Sequence, residues 1–274
     1  MTPVEAVFTR TVADPDAGLK LTGKLGKNAI GFFGAYDRIN NLIFPSNQGS
    51  MSTSIDQEVS SGVLRYRRDI GENSTVGLLY TGRMADDYYN HVAGVDGFLR
   101  LSRTKELRFQ YLHSETDYSD TTSSVFGQPS GDFGGDSFMA SFNHLGRNWM
   151  YGLSYSDRNP TFRADYGFVP RVDIRRAGAN ITRVIWGKRG DWFTRIILAA
   201  FGNVTYDHDG DLTDSTMGLQ TGYFGPLQSV LVLSYFREKE RFLQEDYDKH
   251  QMSFYTEIKP AGGIKFNLEG WLGD

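Results

Sequence analysis

The sequence contains no cysteine, which rules out disulfides, thiolate metal sites and a cysteine nucleophile. It has no basic surplus either. The 29 Lys and Arg stand against 33 Asp and Glu, a formal charge of −4, so the electrostatic footprint of a nucleic-acid-binding protein is missing and no nucleic-acid partner is expected. Histidine is scarce, with five residues (His91, His113, His144, His208 and His250) scattered along the chain. No apolar run approaches the roughly 18 residues that a transmembrane helix needs. The opening stretch TPVEAVFTRTVADPD carries acids and no apolar signal-peptide core, and the expectation is a mature piece or an excerpt of a longer chain. The mean hydropathy of −0.41 would ordinarily argue for an aqueous protein. A transmembrane barrel escapes that inference, because its strands alternate apolar and polar faces and average out as polar.

What the chain does have is glycine (31 residues), aromatic side chains (14%) and a period of two. In the stretch QMSFYTEIKPAGGIKFNLEGW, Met252, Phe254 and Ile258 alternate with Ser253, Tyr255, Glu257 and Lys259. After Pro260-Ala261-Gly262-Gly263, Ile264, Phe266 and Leu268 alternate with Lys265, Asn267 and Glu269. Two such runs joined by a Gly/Pro turn read as an antiparallel hairpin with one apolar and one charged face.

The same unit recurs. Strands are predicted over residues 5–12, 18–25, 29–36, 59–70, 75–83, 90–102, 106–115, 137–145, 149–156, 172–186, 192–205, 215–224 and 228–236, before the last hairpin. Tight turns alternate with long polar loops at 40–58, 117–135, 158–170 and 237–249; a further loop passes through Asp86-Asp87, and an Asp-rich one spans 207–214. The predicted strands run to about 9–12 residues, against a usual mode of about 5–6, and tilted strands of about 9–11 residues are what a bilayer core requires.

The reading is therefore all-β: an antiparallel up-and-down transmembrane β-barrel, incomplete, of about 14–16 long strands with short periplasmic turns and long exterior loops. It forms a single domain over residues 1–274. Outer-membrane lipid is the expected partner and the bacterial outer membrane the expected location. A β-propeller needs four short strands per repeat, and a soluble sandwich would use shorter strands.

Several segments resemble one family: LKLTGKLGKNAIGFFG (19–34), RYRRDIGENSTVGLLYTGR (65–83), NHVAGVDGFLRLS (90–102) and, most distinctively, YSDRNPTFRADYGFVPRVDIRR (155–176). In their shared order they resemble the domain of unknown function 5916, an outer-membrane β-barrel region that follows a carbohydrate-binding module of the family 9 type. The resemblance implies a glycan link through an N-terminal module. It implies no established catalytic residues, although relatives are often labelled hydrolases.

Candidate residues follow from the alternation. The lumen-facing charges are Lys20, Lys24, Arg65, Arg67, Asp69, Asp96, Arg100, Glu106, Arg108, Glu257, Lys259, Lys265 and Glu269. Mixed charges of this kind line a wet barrel interior and pair across strands. Asp207, Asp209, Asp211 and Asp214 offer oxygen ligands to a cation, but the spacing does not match the EF-hand loop and a solvated loop tip is the plainer reading. Phe168, Pro170 and Arg171 mark the loop expected to fold inward as a constriction, against the plainer role of a Pro that orders the next strand. Tyr36, Tyr66, Trp149, Tyr155, Trp186, Trp192, Tyr223 and Trp271 suit an interfacial girdle. His91 near Asp86 and Asp87, or His250 near Asp246 and Asp248, are the histidines an exterior-loop hydrolase would use. No catalytic set and no cofactor is expected, and the function expected is translocation or anchoring, with an envelope hydrolase whose site is on the exterior loops, or a soluble carbohydrate-binding β protein, as the alternatives.

Overall fold

The computed structural model describes residues 4–242 and 245–274. Its strands are β1 (Pro15–Leu25), β2 (Asn28–Asp37), β3 (Asn40–Pro45), β4 (Ser50–Ile55), β5 (Val59–Ile70), β6 (Ser74–Ala85), β7 (Tyr88–Arg100) and β8 (Lys105–Asp117). After a short helix α1 (Asp120–Phe126) come β9 (Phe133–Leu145), β10 (Trp149–Arg158), β11 (Ile174–Trp186), β12 (Arg195–Tyr206), β13 (Leu212–Phe224), β14 (Val230–Phe242), β15 (Glu245–Ala261) and β16 (Ile264–Gly273). Fourteen of them form one up-and-down antiparallel sheet in chain order, while β3 and β4 pair separately as a hairpin inserted between β2 and β5. Glycines at positive φ, such as Gly26 (57°) and Gly263 (88°), make the tight turns of the first and last hairpins, where a side chain would be strained.

Two compact units are present. The first comprises residues 1–101, 106–141 and 155–175, the second 102–105, 142–154 and 176–274. In the first, one face of the sheet is bare and apolar: Leu64, Leu78 and Val95 are 45%, 54% and 40% exposed. The opposite face is covered. It contributes Val63, Val92, Leu112 and Met139 together with Ser61, Thr81, Arg83, Asn90, Ser114 and Thr116, all buried. A water-soluble fold does the reverse, putting its greasy face inside and its polar face out. In the second unit the apolar face is again the bare one, with Leu198, Leu219, Leu233, Met252 and Phe254 exposed. Cross-strand pairing keeps them in rows, as Leu198↔Thr221, Thr221↔Leu233 and Leu233↔Phe254 show.

Four expectations need correction. Residues 5–12 are not a sheet strand. They run as a chain with one bridge, Glu5↔Phe168, and a 3-10 turn over Thr9–Thr11. The loop at 40–58 contains the β3–β4 hairpin. The stretch at 237–249 is not a loop: its described residues extend β14 and β15, held by cross-strand charge pairs such as Arg237–Asp248 and Lys249–Glu240, and Leu243 and Gln244 lie outside the described residues. Long loops do not alternate strictly with tight turns, because only Asp86 and Asp87 separate β6 from β7.

Candidate functional site

A dense, buried polar network lies in the first unit, where residues 159–173 turn back onto the covered face of the sheet. The turn starts locally. Asn159 accepts from the Thr161 amide through Oδ1 (3.1 Å), its carbonyl accepts from the Phe162 amide (3.1 Å), and its own amide is tied to Asp136 O (2.9 Å). This is the Asx-type turn expected of Asn before Pro. The segment then lays Phe162, Ala164, Val169 and Val172 against Val92 and Leu112 of the sheet and against Val4 and Ala6 of the N-terminal stretch, as one buried apolar cluster. Gly135 on β9 makes this approach possible, since a Cβ there would run into the backbone of Thr161 and Phe162.

At the centre of the segment is Asp165, 3% exposed. Its carboxylate accepts from Tyr88 OH (2.8 Å) and Tyr118 OH (2.9 Å). Its amide donates to Asn90 Oδ1 (2.9 Å), and its carbonyl accepts from Arg83 Nη1 (3.0 Å). Arg83 also donates to Asn41 O (2.9 Å) and Asn40 Oδ1 (2.8 Å), while Asn90 Nδ2 donates to Thr116 Oγ1 (2.8 Å) and Arg163 O (3.2 Å). Burial pushes the Asp165 carboxyl above the ordinary carboxylate range, against the two tyrosine hydrogen bonds and the charges of Arg83 and Arg163. Burial also lowers the pKa of Arg163, whose guanidinium donates to Gln128 Oε1 (3.0 Å) and Pro160 O (2.9 Å). Thr81 Oγ1, Arg83 Nε and Tyr166 OH are buried without a protein partner, the kind of group that ordered water normally satisfies.

A roof of chain closes over this network. Leu42 and Phe44 of β3 pack with Val59, Tyr88 and Tyr118 in a second apolar cluster, and the Phe44 ring stacks on Phe126 of α1 at 4.7 Å. The helix is short but capped at both ends: Ser119 Oγ accepts from the Thr122 amide, and Gly127 takes the left-handed conformation that ends it.

Residues 159–173 pack on the covered face of the sheet, while the three residues singled out in that loop take little part in the packing. Phe168 is 43% exposed and tilts against Phe8, and Pro170 is exposed. Arg171 faces outward from the cluster, donating to Asn47 O and accepting at its carbonyl from Arg158. The anchoring residues are Phe162, Asp165, Tyr166 and Val169.

The thirteen candidate charges all fall on the covered face of the first unit or the polar face of the second. Lys24–Asp69 (3.0 Å), Arg67–Asp69 (3.9 Å), Arg65–Asp96, Arg100–Glu106 (3.6 Å) and Arg108–Glu106 (3.7 Å) pair in the first unit. In the second, Lys259 (3.7 Å) and Lys265 (2.7 Å) both pair with Glu257. Lys20 and Glu269 share those faces by register without an ion pair among the described residues. Most of these pairs are at least partly exposed and of modest worth, with Glu106 and Glu257 the most covered members; their signs are mixed, and among the described residues they form no ring of one charge.

The Asp-rich loop is organised by its own backbone. Asp207 Oδ1 accepts from the Asp211 amide (2.7 Å), Asp211 pairs with Arg241 (3.3 Å), and Asp214 accepts from Thr213 Oγ1 (2.8 Å). Among the described residues, no three His, Asp or Glu side chains, Asp207, Asp209, Asp211 and Asp214 included, gather where a metal ion could be held.

The girdle is drawn by hydrogen bonds. On the bare face Tyr36, Tyr80, Tyr111 and Tyr155 each aim the hydroxyl at a polar group: Glu58, His91 (2.8 Å), Asp136 (2.6 Å) and Asp157 (3.2 Å). In the second unit Tyr235 does the same toward His250 (2.8 Å). An apolar ring with its polar tip turned to water is how tyrosine sits at a membrane boundary. His91 and His250, the histidines an enzyme would use, thus belong to this rim, as does His113, held between Asp136 (2.9 Å) and Glu115 (2.7 Å). Trp271 falls instead on the polar face, opposite Ser253.

Together the sheet and its inverted faces define the wall of an antiparallel up-and-down β-barrel of the membrane type. No family model matches the sequence, and no curated protein does. Among solved structures the chain is similar to OccK11 (OpdR) of Pseudomonas aeruginosa, at 12% identity and a TM-score of 0.46 over 96% of this chain and 75% of that one. It is also similar to BamA from Haemophilus ducreyi lacking POTRA domains 1–3, at 9% identity and a TM-score of 0.38 over 93% and 69%. At such identities the likeness concerns the fold alone.

Proposed function

We propose that this chain is the barrel wall of a bacterial outer-membrane protein that acts in anchoring or gated translocation, without catalysis of its own. The observation that carries the reading is the bare apolar face edged by outward-pointing tyrosine hydroxyls. A surface of that extent is too large to leave in water and has the pattern a bilayer requires. The covered face of the first unit is filled by residues 159–173, which favours anchoring or a passage that must be opened over a standing open pore. A glycan-linked cargo, handled by an N-terminal module, rests on the resemblance to the domain of unknown function 5916.

The test is heat-modifiable migration in detergent gels together with partition into vesicles. A protein that stays in buffer without detergent and migrates identically boiled and unboiled would remove the barrel reading. Planar-bilayer recording then separates gated passage from pure anchoring. An envelope hydrolase is the competing class, and loss of a measured hydrolytic activity on replacing His91 or His250 would establish it.

A further inference from the structure

On the apolar face of the second unit the side chains leave a groove of about 950 Å³, floored by Gly270 and Ala200 and walled by Leu198, Leu233, Met252 and Phe254. Trp149 and Arg183 line its flank next to the tight turn Gly146-Arg147-Asn148, with the Arg183 guanidinium 4.9 Å over the Trp149 ring. Arg183 is shared with a second hollow of about 340 Å³, which Arg147, Asn148 and Trp186 also line. There Arg147 lies 5.5 Å over the Trp186 ring, whose Nε1 donates to the Arg147 carbonyl (3.3 Å).

Two guanidiniums, each spread on a tryptophan face, therefore converge on one hollow. Neither has a carboxylate partner among the described residues. The neighbouring turns of this unit add Arg103, Lys188 and Arg189 against the single acid Asp191, whereas the connection at 207–211 on the opposite side carries Asp207, Asp209 and Asp211. Positive charge and the greasy groove thus meet at the same edge of the apolar face.

We propose that this is a binding site for an anionic glycerophospholipid. Its acyl chains lie in the groove, and its phosphate is held by Arg147 and Arg183 at the level of Trp149 and Trp186. Arginine suits a phosphate because its planar fork binds two oxygens at once, and tryptophan suits the headgroup level. A zwitterionic lipid would fill the groove equally well, but its own cation would offset the attraction to the two arginines. The site rests on the reading that the apolar face meets lipid, and the experiment is arranged so that the two can fail separately.

The full chain carrying Trp192→Phe and Trp271→Phe, which leaves Trp149 and Trp186 as reporters, is refolded into phosphatidylcholine vesicles. These hold a fixed minor fraction of brominated phosphatidylglycerol or of brominated phosphatidylcholine. Brominated phosphatidylglycerol is expected to quench in excess of its bulk fraction, with local enrichment of roughly five-fold per arginine, the factor one basic residue contributes near an anionic surface. Arg147→Gln with Arg183→Gln is expected to remove the excess while leaving quenching by brominated phosphatidylcholine unchanged, and Arg147→Lys with Arg183→Lys to retain part of it. Equal quenching by the two lipids overturns the site and leaves the lipid-facing surface standing. No quenching by either overturns both. The comparison of lipids on the unreplaced arginines decides the matter even where the double variant does not refold.

Discussion

Replacing Asp165 with Ala removes the buried acceptor that Tyr88 and Tyr118 share. Tyr88 and Tyr118 lose their acceptor, and Arg83 and Arg163 lose a carboxylate whose charge they favour. Leaving two buried hydroxyls without their acceptor costs about 1–3 kcal/mol each. Because Asp165 lies at the centre of residues 159–173, that cost falls on the docked state of the segment, and about 3 kcal/mol multiplies the population of released segments by roughly a hundred-fold. Trypsin reads this directly, since Arg163 is 5% exposed when docked and becomes a cleavage site once released. The expected result is rapid cutting after Arg163 in the variant, with heat-modifiable migration preserved, and stepwise conductance where the parent is silent.

The same carboxylate makes docking depend on pH. Its pKa is raised in the docked state, so docked Asp165 holds its proton where a released Asp165 has lost it. The contribution is complete below the ordinary aspartate range and declines as pH climbs through the raised docked value. Cleavage at Arg163 should accordingly be slower in mild acid than at neutral pH, after correction for trypsin's own pH dependence. If the Ala variant resists trypsin like the parent, or if release grows toward acid, the carboxylate is not what holds the segment.

Three further outcomes follow from the same geometry. Arginine introduced in turn at Trp149, Tyr151, Leu153 and Tyr155 of β10 should cost about 2–4 kcal/mol of refolding free energy at the middle positions and about 0–1 at the two ends, measured by denaturant titration in vesicles; a flat profile would mean the face does not cross a bilayer. Gly135→Ala should release the segment without touching Asp165, because its Cβ meets the Thr161–Phe162 backbone, and the trypsin assay should report it; unchanged resistance would disprove the close approach. Phe162→Ala should destabilise by about 3–5 kcal/mol as a fully buried ring, while Phe168→Ala, half exposed, should stay within about 1 kcal/mol; the reverse order in urea titrations would restore Phe168 as the anchor.

What was legible in the sequence and what was not divides along physical lines. Parity alone sets which face a strand residue takes, so all thirteen charges could be placed by counting. Hairpins with an apolar face announce themselves for the same reason. The β14–β15 extension does not, because both its faces are polar there and Arg237–Asp248 and Arg241–Asp246 hold the ladder by charge. Conversely Val4, Ala6 and Phe8 alternate like a strand yet pack as a liner. The inward segment was visible as a motif, but its anchor was not. Asp165 is defined by Tyr88, 77 positions away, and by Tyr118, 47 away, and nothing local in Phe-Arg-Ala-Asp-Tyr distinguishes it from a solvated loop charge.

The tyrosine rim also explains how a buried carboxylate can exist in such a protein. On β10 the apolar run from Trp149 to Tyr155 spans six residue steps, about 20 Å at 3.3 Å each, close to the ≈25 Å apolar band of membrane barrels. Tyr80 pairs with Ala93 on β7, so Asn90 and Tyr88 lie beyond that tyrosine on the side of the long loops, next to His91 of the rim. Asp165 is held by those residues and therefore sits at the depth of the boundary and not of the band. An ionisable group at the bilayer centre would be far costlier. There the β3–β4 hairpin and α1 lie over the network, through Leu42, Phe44 and Phe126 packed with Tyr88 and Tyr118. The segment 159–173 is thus held by the Asp165 network and packed on the sheet through Phe162, Val169 and Val172. The carboxylate that holds residues 159–173 is therefore reached from the side of the long loops, where Tyr88 and Tyr118 bind it.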